Sequence, residues 1–159
     1  MSMLPLFQWI EATSLAMTIN NSKYAFALIE FLHLLSLAVI GGAVLVVDAR
    51  LLGLGFRNQR VSEVAAAARP WLIGSLIGIV VTGALMFSSL AAGKYYYNIG
   101  FWWKMYLLAA AIVFTFAVRQ PYAMRANAEG GTPKAGLIAI VSTGLYLGVA
   151  IFGRAIGFL

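Results

Sequence analysis

Four long apolar segments constrain the fold of this chain more than any other feature. They lie at residues 24–47, 71–92, 101–118 and 135–158, and each is close to the roughly 20 residues that a helix needs to cross the hydrocarbon core of a bilayer. Backbone N–H and C=O groups find no water in that core, so helices are the expected form. The sequence therefore predicts an all-α fold, an integral membrane four-helix bundle that forms one domain over residues 1–159.

Composition supports this class and removes several kinds of chemistry. Hydrophobic residues make up 62% of the chain and charged residues 10%, whereas a soluble domain has about 45–50% and about 25%. The absence of cysteine excludes disulfides, iron–sulfur clusters and covalently attached c-type haem. Five acidic residues and one histidine supply neither a serine–histidine–acid set nor paired catalytic carboxylates. A hydrolase or a kinase is therefore disfavoured, and whether the chain is an enzyme stays open.

The basic residues concentrate in two of the connections between the apolar segments. Seven of them lie between the first and second or between the third and fourth segments: Arg50, Arg57, Arg60, Arg69, Arg119, Arg125 and Lys134. Only Lys23 and Lys94 lie on the other side. By the positive-inside rule, the two basic connections are expected to face the cytoplasm and both termini the outside. This topology accounts for the net charge of +6 without a nucleic-acid partner.

The segments outside the bilayer carry their own signals. Residues 1–23 lack a cationic start, and Glu11 interrupts what would be the apolar core of a signal peptide, so they are expected to form a short interfacial helix. The aromatic run KYYYNIGFWWK, residues 94–104, is expected at the same outer level, because tyrosine and tryptophan favour the headgroup region. On the opposite side, residues 62–70 predict a short capped helix, with Pro70 at a bend or a helix start.

Helical spacing predicts which faces of the segments meet. A seam with steps of four and three residues runs along the first segment, with His33 beside it: Glu30, Leu34, Leu37, Gly41, Val44 and Asp48. The second segment has a small and polar face made of Ser75, Gly78, Thr82, Met86 and Ser89. Two glycine pairs, Gly74 with Gly78 and Gly144 with Gly148, are of the kind that lets membrane helices approach closely. Packing alone explains most of these patterns.

Ionisable side chains within the apolar segments are candidate functional groups. Glu30 and His33 lie roughly 10 to 15 Å below the outer end of the first helix, at about 1.5 Å per residue. Lys104 and Arg154 belong to the same outer half. A charge at the bilayer centre costs about 2.5 to 3.5 kcal/mol, so Glu30 is expected to be protonated or paired with Lys104 or Arg154.

Two interpretations of these groups stay open. In one, the charged side chains form a buried tie between helices, or Lys104 and Arg154 simply extend toward the headgroups. In the other, His33 is a ligand or a proton carrier, because neutral imidazole is a common axial ligand of haem iron and titrates near neutral pH. At the inner end, Asp48 lies two residues before Arg50, and local capping and charge pairing explain that arrangement, with docking of a cytoplasmic partner as the alternative.

Several short motifs carry a resemblance to known families. IEFLHLLSLAVIGG, VVDARLLGLG, RPW, TGALMF and YNIGFWWKMYLL resemble an uncharacterised family of four-helix bacterial membrane proteins, from residue 20 onward. More distantly, the chain is similar to copper-resistance D membrane domains and to small four-helix bacterial protoporphyrinogen oxidases. In those oxidases a first-helix histidine and a lysine at the start of a later helix matter, and haem b is bound; the matching positions are His33 and Lys104. The resemblance implies a haem or porphyrin pocket that opens toward one leaflet of a bacterial inner (cytoplasmic) membrane.

A single histidine limits what such a pocket could hold. One chain cannot supply the two axial imidazoles of a low-spin b-type cytochrome, so haem would use His33 with Met86, Met105, a lysine or an open position, or one histidine from each of two chains. Arg154 is a further candidate for cofactor binding. The six methionines are scattered, which disfavours a Cu(I) site, and a zinc site would lack its three protein ligands.

Two functional hypotheses follow. The first is a membrane redox protein in which His33 is the metal ligand of haem b, while Glu30 and Lys104 act as catalytic groups that set local charge or move a proton to an exchanged quinone or porphyrin. The second is a non-catalytic subunit, held in the lipid bilayer within a homo-oligomer or a larger membrane complex by its glycine faces and boundary charges. A Soret absorption band in the purified protein distinguishes the two.

Overall fold

The computed structural model describes residues 4–90, 95–125, 129–156 and 158. The helices are, in chain order, α1 (Leu4–Glu11), α2 (Ser14–Asn21), α3 (Ala25–Leu51), α4 (Val61–Leu90), α5 (Ile99–Phe114), a π-helical turn (Thr115–Arg119), α6 (Gln120–Ala123) and α7 (Pro133–Ala155). Four stretches are long and apolar enough to cross a membrane: Ala25–Leu51, Val61–Ser89, Ile99–Ala123 and Pro133–Ala155. The prediction of an all-α fold with four long apolar helices is confirmed.

The helix bounds differ from the sequence-based ones at three points. Residues 62–70 form no separate helix, because α4 runs without a break through Pro70. The third segment continues past residue 118 through the π-helical turn to Ala123. The amino-terminal stretch forms two short helices instead of one, since the side chain of Thr13 accepts a hydrogen bond at the start of α2 and so caps a new helix. The end of the predicted second segment, residues 91–92, and Lys94 lie outside the described residues.

The long helices pack as two pairs. α3 packs against α4, α5 packs against α7, and contacts between α3 and α7 join the pairs. The α3–α4 and α6–α7 connections meet at what we call the basic end of the bundle. There the N–H of Gly131 donates to the carbonyl oxygen of Leu51 at 2.8 Å. A Cβ at Gly53 (φ 76°) would lie 3.2 Å from the Cα of Gly131, so this close approach requires glycine.

The opposite end, which we call the aromatic end, contains α1, α2, residues 95–103 and the carboxyl end of α7. The Phe7 ring is its centre, with ring centroids of Phe87, Tyr96 and Trp102 at 5.1, 5.2 and 6.2 Å. Asn98 caps α5 and donates from its side-chain nitrogen to the carbonyl oxygen of Ile156 at 3.2 Å. Aromatic stacking and caps therefore hold the amino-terminal helices and both hairpins together at this end.

The buried apolar core lies toward the basic end. Its largest members come from α3, α4 and α7: Ile40, Val44, Val47, Leu51, Val61, Val64, Leu72, Ile79 and Ile138. The amino-terminal half of α3 is different, because between residues 25 and 39, all of which the structure describes, His33 is the single buried residue. α3 is thus a core helix over one half of its length and a peripheral helix over the other.

The predicted seam of α3 is correct at its inner end and wrong at its outer end. Val44 and Asp48 are each 1% exposed, whereas Leu34 is 60% exposed and Glu30 is also exposed. Neighbouring helices contact α3 on the side of His33 and Ile40, and consecutive residues of a helix point about 100° apart. That register places Leu34 on the surface of the bundle. Glu30, one helical turn earlier on α3, lies on the same surface.

Candidate functional site

His33 is buried between α3 and α4 and is held there by a chain of two hydrogen bonds. Its Nδ1 lies 2.8 Å from Oγ1 of Thr82, and the Thr82 hydroxyl donates to the carbonyl oxygen of Gly78 at 2.6 Å. A hydroxyl has one proton to donate, so toward His33 it acts as an acceptor. The neutral imidazole therefore carries its proton on Nδ1 and its lone pair on Nε2.

The surroundings of the imidazole fix its plane and leave Nε2 available. A Cβ at Gly83 would lie 3.4 Å from Cε1 of His33, so the ring lies directly against the backbone of α4. Besides the Thr82 hydroxyl, the backbone of Ile79 forms a hydrogen bond with the ring of His33. Met86 follows Thr82 by one turn of α4 and is partly buried. Both contacts hold the imidazole against α4, and Nε2 is the ring nitrogen that the bond to Thr82 leaves available.

Glu30 does not join this arrangement. It is exposed on α3, and it forms no ion pair or hydrogen bond with any residue that the structure describes. Of the two expectations for Glu30, protonation or pairing with Lys104 or Arg154, the pairing is wrong, because α5 packs on α7 while Glu30 lies on the outward face of α3. Burial raises the pKa of the Tyr95 phenol, and the nearby Glu30 carboxylate raises it further.

The other predicted residues, Lys104, Met105 and Arg154, lie on α5 and α7 and do not bond to each other. Lys104 is half-buried and its Nζ would lie 3.6 Å from a Cβ at Gly153, so it runs beside α7. Met105 is 43% exposed. Arg154 is exposed, with its guanidinium 5.0 Å from the ring centroid of Phe158. In the described ranges, no hydrogen bond or ion pair joins any two of the six predicted site residues.

Lys104 lines a narrow groove between α3, α5 and α7, with one residue of α4, Ile79, at its side. Its enclosed volume is about 130 Å³, below the roughly 300–1,000 Å³ of sites that hold drug-sized ligands. Thr143 and Tyr146 of α7 line it as well. The groove therefore runs from Lys104 toward Thr143 and Tyr146 near the centre of the bundle.

A second polar cluster, which sequence reasoning missed, lies at that centre. Nε of Arg119 donates to Oδ1 of Asp48 at 2.7 Å, and the two side chains are 0% and 1% exposed. Nη2 of Arg119 donates to the carbonyl oxygen of Val44 at 2.9 Å, and the hydroxyl of Thr143 donates to Oδ2 of Asp48 at 3.0 Å. Both carboxylate oxygens are thus occupied, and the cluster ties α3, the π-helical turn and α7 together.

The sequence-based assignments of these residues were wrong for identifiable reasons. Arg50 does not pair with Asp48, because its Nε donates to the carbonyl oxygen of Gln59 at 2.8 Å. Arg119 is not a loop residue, because the π-helical turn carries the helix past residue 118 and a wider turn shifts the faces that follow. The usable signal was an aspartate on the predicted seam of α3, since an intramembrane carboxylate calls for a partner on another helix.

These two clusters offer different chemistry. The Asp48 and Arg119 side chains are bonded to each other and enclosed, so they serve as a fixed connection. Nε2 of His33 is free to accept a proton or to bind a metal, although the described residues contain no group of three or more His, Cys, Asp or Glu that could hold a metal ion. Any further ligands of a metal at His33 would therefore be of other residue types, such as Met86, or would come from outside the chain.

Four long apolar helices around enclosed and paired charges define a multi-pass four-helix membrane protein. More specifically, the chain belongs to the family described as "Family of unknown function (DUF6644)", whose sequence model matches residues 6–159. No curated protein and no solved structure matches the chain. The likeness to copper-resistance D domains and protoporphyrinogen oxidases therefore rests on the short motifs alone.

Proposed function

We propose that the protein is a redox protein of a bacterial inner membrane that binds haem b through Nε2 of His33. The observation that carries this proposal is the hydrogen-bond chain from His33 through Thr82 to Gly78. Histidines that bind metals almost always donate their other ring N–H to a fixed acceptor, and imidazole is a common axial ligand of haem iron. The free Nε2 lone pair matches that requirement.

Nε2 of His33 would supply one ligand to the haem iron, and the macrocycle would need space outside the groove at Lys104. That groove encloses about 130 Å³ and is not lined by His33, so haem held by His33 would not lie in it. A binding face completed by a second copy of the chain would supply both the missing volume and a second His33. Met86, one turn from Thr82 on α4, is the alternative second ligand, whereas Met105 and Arg154 lie on exposed surface.

Bound haem would supply one-electron transfer, and the chain would supply ligands and charge. Glu30 and Lys104 have no ion-pair partner among the described residues, so each is available to carry a proton for a quinone or porphyrin exchanged from the bilayer. That Glu30 and Lys104 form no ion pair with each other or with Arg154 supports a role in chemistry more than the alternative, a buried ionic tie among these three residues.

An absorption spectrum of protein extracted from its native membrane tests the proposal. We expect a Soret band that is lost in His33→Ala, with the far-ultraviolet circular dichroism unchanged. Met105→Leu is the matched control and should keep the band. Haem retained in His33→Ala would exclude His33 as the ligand, and wild-type protein without any band would exclude the haem proposal.

We also propose that the basic end faces the cytoplasm. With Arg119 buried in the bundle, six basic residues remain in the two connections at that end or in the helix ends beside them, against Lys23 and Lys94 at the other end, so the bias holds. The chain has no cysteine, which makes single-cysteine labelling clean. In intact spheroplasts, a membrane-impermeant maleimide should label Asn21→Cys but not Asn58→Cys, and the reverse pattern would invert the topology.

A second candidate function is that of a non-catalytic assembly subunit. The observation that favours it is a set of outward glycines on three helices, Gly41, Gly42, Gly74 and Gly144, where an added Cβ would have no neighbour within 4 Å. Small residues of this kind suit contacts with another helix. Gly78 and Gly148, by contrast, pack within the chain on Ser36 and Leu107. Gly74→Leu should therefore shrink the complex seen by native electrophoresis and Glu30→Gln should not; an equal effect of both would contradict this function.

A further inference from the structure

The groove beside Lys104 has features that the proposed function does not use. Its wall is mostly apolar and comes from three membrane helices, with Leu37, Gly41, Leu45, Leu108, Leu147 and Ala150 among its lining residues. Leu45 and Leu147 are 55% and 56% exposed, so the groove opens at the surface that faces the hydrocarbon of the bilayer. A narrow apolar groove with that opening admits a hydrocarbon chain from the membrane.

Lys104 is the charged residue of this groove, and no acidic residue that the structure describes neutralises its charge. The groove lining contains no acidic residue, and Lys104 forms no ion pair or hydrogen bond within the described ranges. It is the sixth residue of α5, roughly 8 Å along the helix from the aromatic end at about 1.5 Å per residue. An ammonium at that depth, beside Gly153 and next to the outer end of the groove, is complementary to an anion near the headgroup level.

The inner end of the groove offers no free polar group. The hydroxyl of Thr143 is bonded to Asp48 at 3.0 Å, and the Tyr146 hydroxyl is 3.0 Å from Oγ1 of Thr115. From Ala150 to Thr143 the groove follows α7 for roughly 10 Å at about 1.5 Å per residue. A ligand for this groove therefore needs an anionic head at one end and a plain hydrocarbon chain toward the other.

We infer that the groove is a binding site for an anionic phospholipid of the bilayer, with its phosphate at Nζ of Lys104 and one acyl chain lying along α7 toward Thr143. The second acyl chain stays in the surrounding bilayer. The inference rests on the shape and charge of the groove and does not depend on whether His33 binds haem.

Native mass spectrometry of the purified protein, with added phosphatidylglycerol or phosphatidylcholine, tests the headgroup contact. We expect about a fivefold preference for the anionic lipid, since one lysine near an anionic headgroup contributes on that scale. Lys104→Gln should lose the preference and Lys104→Arg should keep it. Lys23→Gln, an exposed lysine at the same end of the bundle, is the matched control. An unchanged preference in Lys104→Gln would overturn the assignment of the headgroup.

A groove-filling variant tests the acyl chain. A Cβ at Gly41 meets no atom within 4 Å and Gly41 lines the groove, so Gly41→Leu should place its side chain in the groove. We expect at least a tenfold loss of phosphatidylglycerol binding, with the thermal stability measured alongside and unchanged. Gly144→Leu, at another open glycine, should bind lipid as the wild type does. Equal lipid binding by the two variants would overturn the proposal. Smaller oligomers of Gly41→Leu with lipid binding intact would likewise overturn it, in favour of a second copy of the chain. The Soret band of the same samples reports separately on the haem proposal.

Discussion

The two halves of the bundle treat charge in opposite ways. In the basic half, Asp48 and Arg119 are fully enclosed and bonded to each other, and they sit beside the continuous apolar core. In the aromatic half, Glu30 and Lys104 have no ion-pair partner among the described residues, and His33 uses one of its two ring nitrogens. The comparison shows that the buried charges of the first half are bonded to each other across helices, whereas the charged groups of the second half are not bonded to each other.

The two halves also differ in what holds them together. Enclosed ion pairs add little net stability compared with apolar replacements, but removal of one partner leaves an uncompensated charge. At the aromatic end, packing between uncharged rings stabilises the structure, and Phe7 contacts three other rings. The basic half should therefore be sensitive to single charge deletions and the aromatic half to loss of ring packing.

The largest effect is expected for Arg119→Met. It leaves the Asp48 carboxylate enclosed without its cation, which should lower the free energy of unfolding by about 3–5 kcal/mol, measured by denaturation with SDS in mixed micelles. The double variant Asp48→Leu/Arg119→Met should be more stable than the single one. A single variant that loses less than about 1 kcal/mol would contradict the assigned role of the pair.

Phe7→Ala should disrupt the ring packing of the aromatic half. Phe7 is 5% exposed, and removal of a buried phenylalanine costs about 3 kcal/mol, so α1 should detach. Limited proteolysis should show faster cleavage of the amino-terminal helices, with the rest of the bundle resistant. Leu6→Ala, at a position 49% exposed, is the control and should be cleaved as the wild type is. Cleavage that begins at the basic end would argue against local docking.

Thr82→Val removes the acceptor of the His33 N–H. The net loss of one hydrogen bond should cost about 1 kcal/mol, and the imidazole should lose its preference for the Nδ1–H tautomer. Nitrogen-15 NMR of labelled histidine reads this directly, because the chain has one histidine. Thr82→Ser should keep the wild-type spectrum. A Thr82→Val spectrum equal to that of the wild type would mean that another group fixes the ring.

The smallest effect is expected for Glu30→Gln. The side chain is exposed and unpaired within the described structure, so stability should change by less than about 0.5 kcal/mol. Asp48→Asn, the same acid-to-amide change on the same helix, should lose about 3 kcal/mol because Arg119 is left without its anion. Both variants are measured in one denaturation series. Similar losses of unfolding free energy in Glu30→Gln and Asp48→Asn would contradict the proposed difference between the two halves.

Sequence reasoning recovered the membrane helices and the burial of His33 but not the partners of the charged groups. His33 was identified because an imidazole in an apolar segment is rare and conspicuous. Arg119 was missed because helix ends are uncertain by several residues, and five residues of π-helical turn moved it from a loop into the core. Glu30 was placed on the buried seam, protonated or paired, because the spacing of α3 allowed two faces and nothing local selects between them.

The sequence by itself determined that this chain forms four long apolar helices, because the length and composition of a segment decide whether it can cross hydrocarbon. Only the tertiary structure decided which faces met and therefore which charges were paired. Asp48 and Arg119 are 71 positions apart in the chain, and their contact depends on the rotation of two helices about their axes. That rotation is set by the packing of all the helices together, which no short stretch of sequence records.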